Sequence, residues 1–347
     1  MHVPQKKKIA VAMSGGVDSS VSAALLKAAG FDVIGITMRL FDGASAAVDD
    51  AARVAAFLGI DHHVASFENC FAAEIMDYFV REYRAGRTPN PCARCNQLIK
   101  FGALLDMATG LGADSLATGH YARIAVAADG EPHLLQAVNL SKDQSYFLFS
   151  LEKEILGRII FPLGEMREKS EVRRIAAEFG LPVAHKDDSQ DICFIPDGDY
   201  VGFLERRAAV GTPGDFILPD GTTVGRHKGI HRYTVGQRRG MGIAWSEPLY
   251  VIRIEADTNR VVVGVAGDLY RESFTINCCN WLQPPEPESA TLKCKIRYRH
   301  RAVPCTVTML DDGRAAVRFT AAEKGVTPGQ VAVFYRGEEV CGGGWIE

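Results

Sequence analysis

The chain has 347 residues and 37.8 kDa, a length that predicts two or three domains with sizeable cores. Hydrophobic residues make up 47% and charged residues 23%, and 39 basic against 42 acidic side chains leave a net charge of -3, which excludes disordered and fibrous classes and announces no polyanion partner in bulk. No apolar run approaches the roughly 18 to 20 residues of a membrane span, and the stretch Ile9 to Met13 behind Lys6-Lys7-Lys8 is too short for a signal peptide.

From Ile9 to about Phe194 short apolar runs alternate with amphipathic helical patterns, which predicts βαβ units around a parallel sheet. Ile9 to Met13 reads as a buried strand, Ser19 to Ala29 as a helix ended near Gly30, Asp32 to Met38 as a second strand, and Ala46 to Leu58 as a helix stopped by Gly59. Ser115 to Thr118 reads as a later strand running into Gly119-His120-Tyr121. The two glycine-marked strand ends are expected on one edge of the sheet, where open α/β sheets bind ligands. After about Gly198 short β-like runs stand between Gly, Pro and Asp-Gly turns: Phe216 to Leu218, then Pro219-Asp220-Gly221, Val224, and Tyr250 to Ile252. This part reads as all-β, with Gln283 to Glu288 a stiff connection after the first strand of a final barrel. The expected class is therefore α/β, with a parallel-sheet nucleotide-binding domain at 1–197, a central β-rich domain at 198–269 and a C-terminal β-barrel at 270–347. No internal repeat or low-complexity tract is visible.

The first strand leads into Ser14-Gly15-Gly16-Val17-Asp18-Ser19-Ser20 and then an alanine-rich helix. Two glycines let backbone N–H groups turn towards a phosphate, three serines add hydroxyl donors, and the helix start adds its dipole. Asp18 can hold a magnesium ion. Neither a Walker Gly-Lys-Ser/Thr nor a G-x-G-x-x-G after a strand is present, which disfavours γ-phosphate-gripping NTPases and dinucleotide enzymes. The loop resembles the PP-loop of ATP pyrophosphatases, which cut ATP between the α and β phosphates to adenylate a substrate oxygen. By itself it does not choose among the synthetases and RNA thiolases of that group.

Nine cysteines, odd in number and sparse, fit reduced thiols and a cytoplasmic setting. Cys92 and Cys95 form a C-x-x-C inside Thr88-Pro89-Asn90-Pro91-Cys92-Ala93-Arg94-Cys95-Asn96, and Cys193 stands alone in Asp191-Ile192-Cys193-Phe194-Ile195. From its flanks alone Cys193 reads as a buried small hydrophobe; Cys70, Cys278, Cys279, Cys294, Cys305 and Cys341 read as packing residues. Together with the loop, these islands resemble the family of tRNA-specific 2-thiouridylases, and the likeness extends through Lys142-Asp143-Gln144-Ser145-Tyr146-Phe147, Thr234-Val235-Gly236-Gln237-Arg238 and Pro328-Gly329-Gln330.

The resemblance implies ATP and Mg2+ as cofactors and a tRNA anticodon loop with its wobble uridine as substrate. The sulfur donor it implies is a cysteine desulfurase or sulfur-relay protein, with no membrane partner. It implies nucleotide contacts at Ala12, Met13, Ser14, Gly15, Gly16, Val17, Asp18, Ser19, Met38 and Gly119. Cys193 would carry the persulfide and Cys95 would resolve it, with Arg94, Arg87 and a helix start after Cys95 lowering that thiol's pKa. Asn90, Pro91, Cys92 and His120 would meet the flipped-out base, and Lys142, Asp143, Gln144, Arg297, Tyr298 and Gln330 would touch the tRNA. One departure stands out: Cys92 occupies a position where many members have aspartate, and a thiol with a pKa of about 8.5 is a poor base at neutral pH. Cys92, Cys95 and Cys193 as ligands of an iron–sulfur cluster is the alternative use of these thiols. Lys293, Lys295, Arg297, Arg299 and Arg301 fall on alternate residues, which predicts one basic strand face for RNA phosphates; Arg226 to Arg239 is a second basic stretch without an acid. Two rivals remain open: a small-molecule amidating ligase that acts without RNA, and a redox- or metal-sensing RNA-binding protein.

Overall fold

The computed structural model describes residues 6–41, 43, 45–126, 130–186, 192–207, 211–285 and 292–347. In chain order the strands are β1 (Lys8–Ala12), β2 (Asp32–Arg39), β3 (Asp61–Ser66), β4 (Ser115–Thr118), β5 (Ala122–Val126), β6 (Pro132–Gln136), β7 (Ile159–Ile160), β8 (Gly214–Ile217), β9 (Thr223–His227), β10 (Tyr250–Glu255), β11 (Arg260–Gly264), β12 (Tyr270–Trp281), β13 (Leu292–Lys295), β14 (Val303–Met309), β15 (Ala315–Lys324), β16 (Val331–Arg336) and β17 (Glu339–Ile346). The α-helices are α1 (Val17–Ala28), α2 (Ser45–Leu58), α3 (Glu68–Phe71), α4 (Asp77–Arg84), α5 (Pro91–Cys95), α6 (Leu104–Gly110), α7 (Lys169–Glu178) and α8 (Tyr200–Arg206). Two compact units divide the chain and neither is contiguous: Met1–Ile75, Cys92–Gln190 and Gly337–Val340 form one; Met76–Pro91, Asp191–Arg336 and Cys341–Glu347 form the other.

The first unit is built on a five-stranded parallel sheet in the order β3-β2-β1-β4-β7. Ile9, Ala10 and Val11 are fully buried, so the central strand is apolar on both faces, as helices covering a parallel sheet require. Ile9, Val11 and Val33 pack with Ala51 and Val54 of α2, while Val17 and Val21 of α1 pack with Leu163 and with Val172 of α7. Each aliphatic side chain so buried contributes about 1.5 to 3 kcal/mol. Helix α1 starts at Val17 rather than at the expected Ser19, because Gly16 in extended conformation (φ -97, ψ 168) already serves as its N-cap. Asp18 and Ser19 thus belong to the first helical turn. The β5–β6 hairpin completes this unit, with Leu135 in register with Glu339.

In the second unit a four-stranded sheet, β10-β11-β8-β9, encloses Phe216, Val251, Val261 and Val263. The expected turn is present, with Gly221 at φ +91 and Leu218 N–H donating to Thr222 O at 2.8 Å. Six strands, β12-β15-β14-β13-β16-β17, close through the β12–β17 pairing into a barrel around Ile276, Phe319 and Phe334, with Cys294, Cys305 and Cys341 among them. The region after Gly198 is not all-β. The Asp199 carboxylate caps α8 by accepting from Gly202 N–H at 2.9 Å, and Phe203 and Leu204 are buried from that helix. Of the expected stiff connection, residues 286–288 lie outside the described residues.

Candidate active site

Gly15 adopts φ +69, and a Cβ there would stand 2.4 Å from Ala47 O, so both backbone and space demand glycine. The turn is fixed by Ser19 Oγ, which accepts from Ser14 N–H at 3.1 Å and donates to Gly16 O at 3.2 Å, and by Ser20 Oγ, which donates to Gly16 O at 2.8 Å. The first N–H groups of α1 have no acceptors within the helix and carry its positive end. Strands β1 and β4 are parallel neighbours with Ala12 level with Thr118, so both glycine-marked ends open on one edge, at the switch point between the two halves of the sheet. Beyond β4, a Cβ on Gly119 would be 2.7 Å from Ser19 N; only glycine allows the two backbones this approach. Ala12 ends β1, buried Met13 donates its N–H to Ile36 O at 2.8 Å, and half-buried Met38 lies next to last in β2.

Two lysines that no local sequence feature marks reach this turn. Lys169 Nζ lies 2.6 Å from Asp18 Oδ1, which also accepts from Tyr121 OH at 3.0 Å. Lys186 Nζ donates to Gly15 O at 3.0 Å and pairs with Asp50, whose carboxyl is held below its ordinary range by Lys186 first and Arg53 second. An amide-lined turn with two ammonium groups fits a polyphosphate. Both of these contacts of Asp18 are made through Oδ1.

Pro91 opens α5, as suits a residue with no N–H to leave unpaired and a preset φ. The helix therefore starts before Cys92. It widens into a π-helical stretch at Asn96–Ala103 before α6, a form often found at functional sites. Cys92 is exposed and Cys95 buried. Arg94 gives its guanidinium to the Glu74 carboxylate at 2.7 Å and to Glu74 O at 2.9 Å, and Arg87 grips Glu82 at 2.6 and 2.7 Å. Each of these two guanidinium groups thus meets a carboxylate. Cys92 keeps an accessible face, yet desolvation by the surrounding protein pushes its thiol up, with the Lys100 ammonium opposing. His120 lies against Phe101 and Phe161, with Nδ1 2.7 Å from Thr118 Oγ1 and Nε2 3.5 Å from Lys100 Nζ. Burial first and Lys100 second hold His120 well below the usual histidine range. The imidazole is therefore neutral, and the contact with an ammonium assigns the lone pair to Nε2. Asn96 is buried and donates Nδ2–H to Phe147 O at 2.9 Å. Lys100, also missed from sequence, thus joins Cys92 to His120.

The Lys142-Asp143-Gln144 island divides. Asp143 is buried, accepting from Ala137 N–H and Ser145 N–H at 3.1 Å each, from Ser145 Oγ at 2.9 Å and from Gln136 Nε2 at 3.2 Å. Gln144 accepts from Tyr121 N–H at 2.9 Å through Oε1 and donates its own N–H to Tyr121 O at 2.8 Å. Gln144 fastens this loop to Tyr121, next to His120, while Asp143 ties it to Gln136 and Ala137 at the end of β6; Lys142 is half-exposed beside them.

In the second unit Cys193 is exposed, contrary to what its flanks alone suggest, while Phe194 and Ile195 are buried. Its turn closes through Ile195 N–H to Ile192 O at 2.8 Å, and the Phe194 ring meets Phe79 at 5.5 Å and Phe203 at 5.1 Å between centroids. Asp191, in the same motif, lies outside the described residues. Asn90 is buried and Pro91 follows it. Gln330 donates Nε2–H to Thr88 O and Pro89 O, both at 3.0 Å, and Thr88 N–H bonds Pro328 O at 2.8 Å. Strand β13 ends at Lys295 and the chain turns, with His300 N–H donating to Arg297 O at 3.0 Å. The predicted five-residue basic strand face is thus two strand lysines, Lys293 and Lys295, and three turn arginines. Arg297 covers Gly325, and Tyr298 is half-buried. Cys70 and Cys278 are exposed rather than packed, Cys278 at a bulge with φ +46. Cys95 belongs to the first unit and Cys193 to the second. Among the described residues no group of three His, Cys, Asp or Glu side chains is disposed to hold a metal ion, and no helix is long and apolar enough to cross a membrane.

Three family models match the chain: tRNA methyl transferase HUP domain over residues 7–197, tRNA methyl transferase PRC-barrel domain over 201–265, and aminomethyltransferase beta-barrel domain over 271–346. A protein of Pelobacter propionicus named tRNA-specific 2-thiouridylase MnmA is 54% identical over 344 residues, 98% of this chain and 97% of that protein. Proteins of the same name from Trichlorobacter lovleyi, 52% identical, and Geobacter metallireducens, 51% identical, cover 98% and 99% of this chain and 97% of their own lengths.

Proposed function

The chain belongs to the family of tRNA-specific 2-thiouridylases and is an enzyme, and from that premise we propose that it replaces the C2 oxygen of a tRNA wobble uridine by sulfur. That carbonyl is a poor electrophile, and its oxygen departs only once it has been made a leaving group. In this reading the oxygen attacks the α-phosphorus of ATP and pyrophosphate leaves, so the base is held as an O-adenylate. The Ser14–Gly16 turn, the first amides of α1, Lys169 and Lys186 bind the pyrophosphate, Asp18 would hold Mg2+, which would offset phosphate charge, and Met38 and Gly119 border the nucleoside.

Sulfur then arrives as a persulfide on Cys193, loaded by a cysteine desulfurase or relay protein. Its outer sulfur attacks C2 and AMP departs. The Cys95 thiolate attacks Cys193 Sγ, forming a Cys95–Cys193 disulfide and releasing the thiocarbonyl; reduction of the disulfide readies the next turnover. Asn90, Pro91, Cys92 and neutral His120 border the flipped-out base, while Lys142, Arg297 and Tyr298 meet the RNA. Asp143, Gln144 and Gln330 act by holding loops. In this division 1–197 carries the chemistry, and 198–269 and 270–347 grip tRNA. No step here needs a cluster on Cys92, Cys95 and Cys193.

The observation that carries the reading is Cys193: an exposed thiol on a closed turn whose two following neighbours are buried. The test is mass spectrometry of tRNA incubated with ATP, Mg2+, a persulfide donor and either wild type or Cys193→Ser. The variant should release pyrophosphate in response to tRNA and form no 2-thiouridine; thiolation by the variant overturns the proposal.

A further inference from the structure

Between β9 and β10 the chain runs Arg238-Arg239-Gly240-Met241-Gly242-Ile243-Ala244-Trp245, a segment that the thiolation chemistry leaves unused. Gly240 at φ +84 and Gly242 at φ +69 supply conformations that other residues adopt with strain. Met241 is buried with Phe216 and Val251, and Ile243 lies 3.4 Å from the Cβ position of Gly225 on β9, so the loop is pinned to the sheet at two points. Trp245 nevertheless remains 47% exposed. With Arg238 it lines an open hollow of about 370 Å³, within the size range of small-ligand sites. Arg238 and Arg239 are exposed and, among the described residues, pair with no carboxylate; Arg226 and Lys228 on and after β9 are exposed as well. Arg232 differs, since Glu205 neutralises it.

An exposed indole beside uncompensated guanidinium groups is the pairing that single-stranded nucleic acid selects, because every base offers a π-face and every linkage a negative charge. A membrane surface fits less well, since Ser246 and Glu247 share the rim with Trp245. We propose that Trp245 is a stacking platform for one unpaired nucleobase of the RNA substrate, with Arg238 and Arg239 holding the flanking phosphates. This rests on the tRNA reading above and adds to it a contact in the middle β-sheet.

The full-length protein titrated with a tRNA transcript should show quenching of tryptophan emission. Trp245→Phe retains Trp281 and Trp345 as internal reference, so it should lose that quench while binding tRNA within a few-fold of wild type. In filter binding, Trp245→Ala should weaken tRNA by about 5- to 150-fold with the salt slope unchanged, whereas Arg238→Ala should flatten the slope by about 0.7. Wild-type affinity in Trp245→Ala, or full quenching in Trp245→Phe, overturns the site while the thiolation reading stands. Should wild type bind no tRNA, it is the thiolation reading that fails; the platform is then judged on polyuridylate, whose failure to quench overturns it too.

Discussion

Burial and the Lys100 ammonium both act against a second proton on His120, and this has a consequence for stability. An unfolded histidine titrates near 6.5, so below about pH 6.5 the unfolded chain takes up a proton that the folded chain refuses, and stability falls with pH until the folded imidazole titrates. His62 and His227, also lowered mainly by burial, steepen the same limb. The melting temperature of wild type should decline between pH 7 and pH 5, and His120→Gln should decline less; parallel curves would refute the assignment. Cys92 carries the opposite message: desolvation holds its thiol above the ordinary value, so at neutral pH it is protonated and unsuited to take a proton. Cys92→Ser is therefore expected to thiolate tRNA within a few-fold of wild type and with the same pH profile. A hundredfold loss would show that a thiolate is needed there. Cys92 and His120 stand out in the sequence by spacing and by their place after a strand, but Lys100 does not. Its approach to both depends on the π-helical widening at Asn96–Ala103, which no residue pattern announced.

At the scale of elements, the display of Cys193 depends on its anchor. Phe194 is held edge-on by Phe79 and tilted against Phe203, and removing a buried phenyl ring costs about 3 to 5 kcal/mol. Phe194→Ala should lower the melting temperature and reduce thiolation more than tRNA-stimulated pyrophosphate release, measured on the same preparation. An equal loss of both would make the ring a general stabiliser instead. The β1-α1-β2-α2 run was legible because buried strands and amphipathic helices differ in apolar period, and the tight turn after β1 was legible because glycine and serine are specified locally. Helix α8 was not: its start depends on the Asp199 cap, and its apolar pair Phe203-Leu204 resembles a strand fragment. The alternation from Lys293 to Arg301 misled for a related reason. A period of two continues unbroken through a turn when the turn residues are also charged, and only the pairing of β13 with β14 and β16 ends the strand at Lys295.

For the whole molecule, what the sequence concealed is that the chain returns to units it has left. Contiguous boundaries at 197 and 269 follow from composition, but Met76–Pro91 folds with Asp191–Arg336, and Gly337–Val340 folds with the parallel-sheet unit. A fragment of residues 1–197 would strip Tyr83 of its stacked partner Tyr200, 5.1 Å away, Phe79 of Phe203, and Asp77 of the Arg207 guanidinium at 3.0 Å. It would also remove Glu338, which Arg123 bonds at 2.6 Å, and Glu339, the register partner of Leu135. Phe79 and Tyr83 are buried in the intact chain, and exposing each costs about 1.5 to 3 kcal/mol, a large share of the roughly 5 to 15 kcal/mol that stabilises a domain. The fragment is therefore expected to melt well below the full chain, and protease should cut it first within 76–91, where the apolar face of α4 has lost its cover. A fragment that melts cooperatively at the temperature of the intact protein, with 76–91 protected, would show that residues 1–197 stand without the β part. As the contacts are arranged, the segment entering the C-x-x-C helix is held by the same unit that presents Cys193, so loosening that unit should disturb the start of that helix and the Cys193 turn at once.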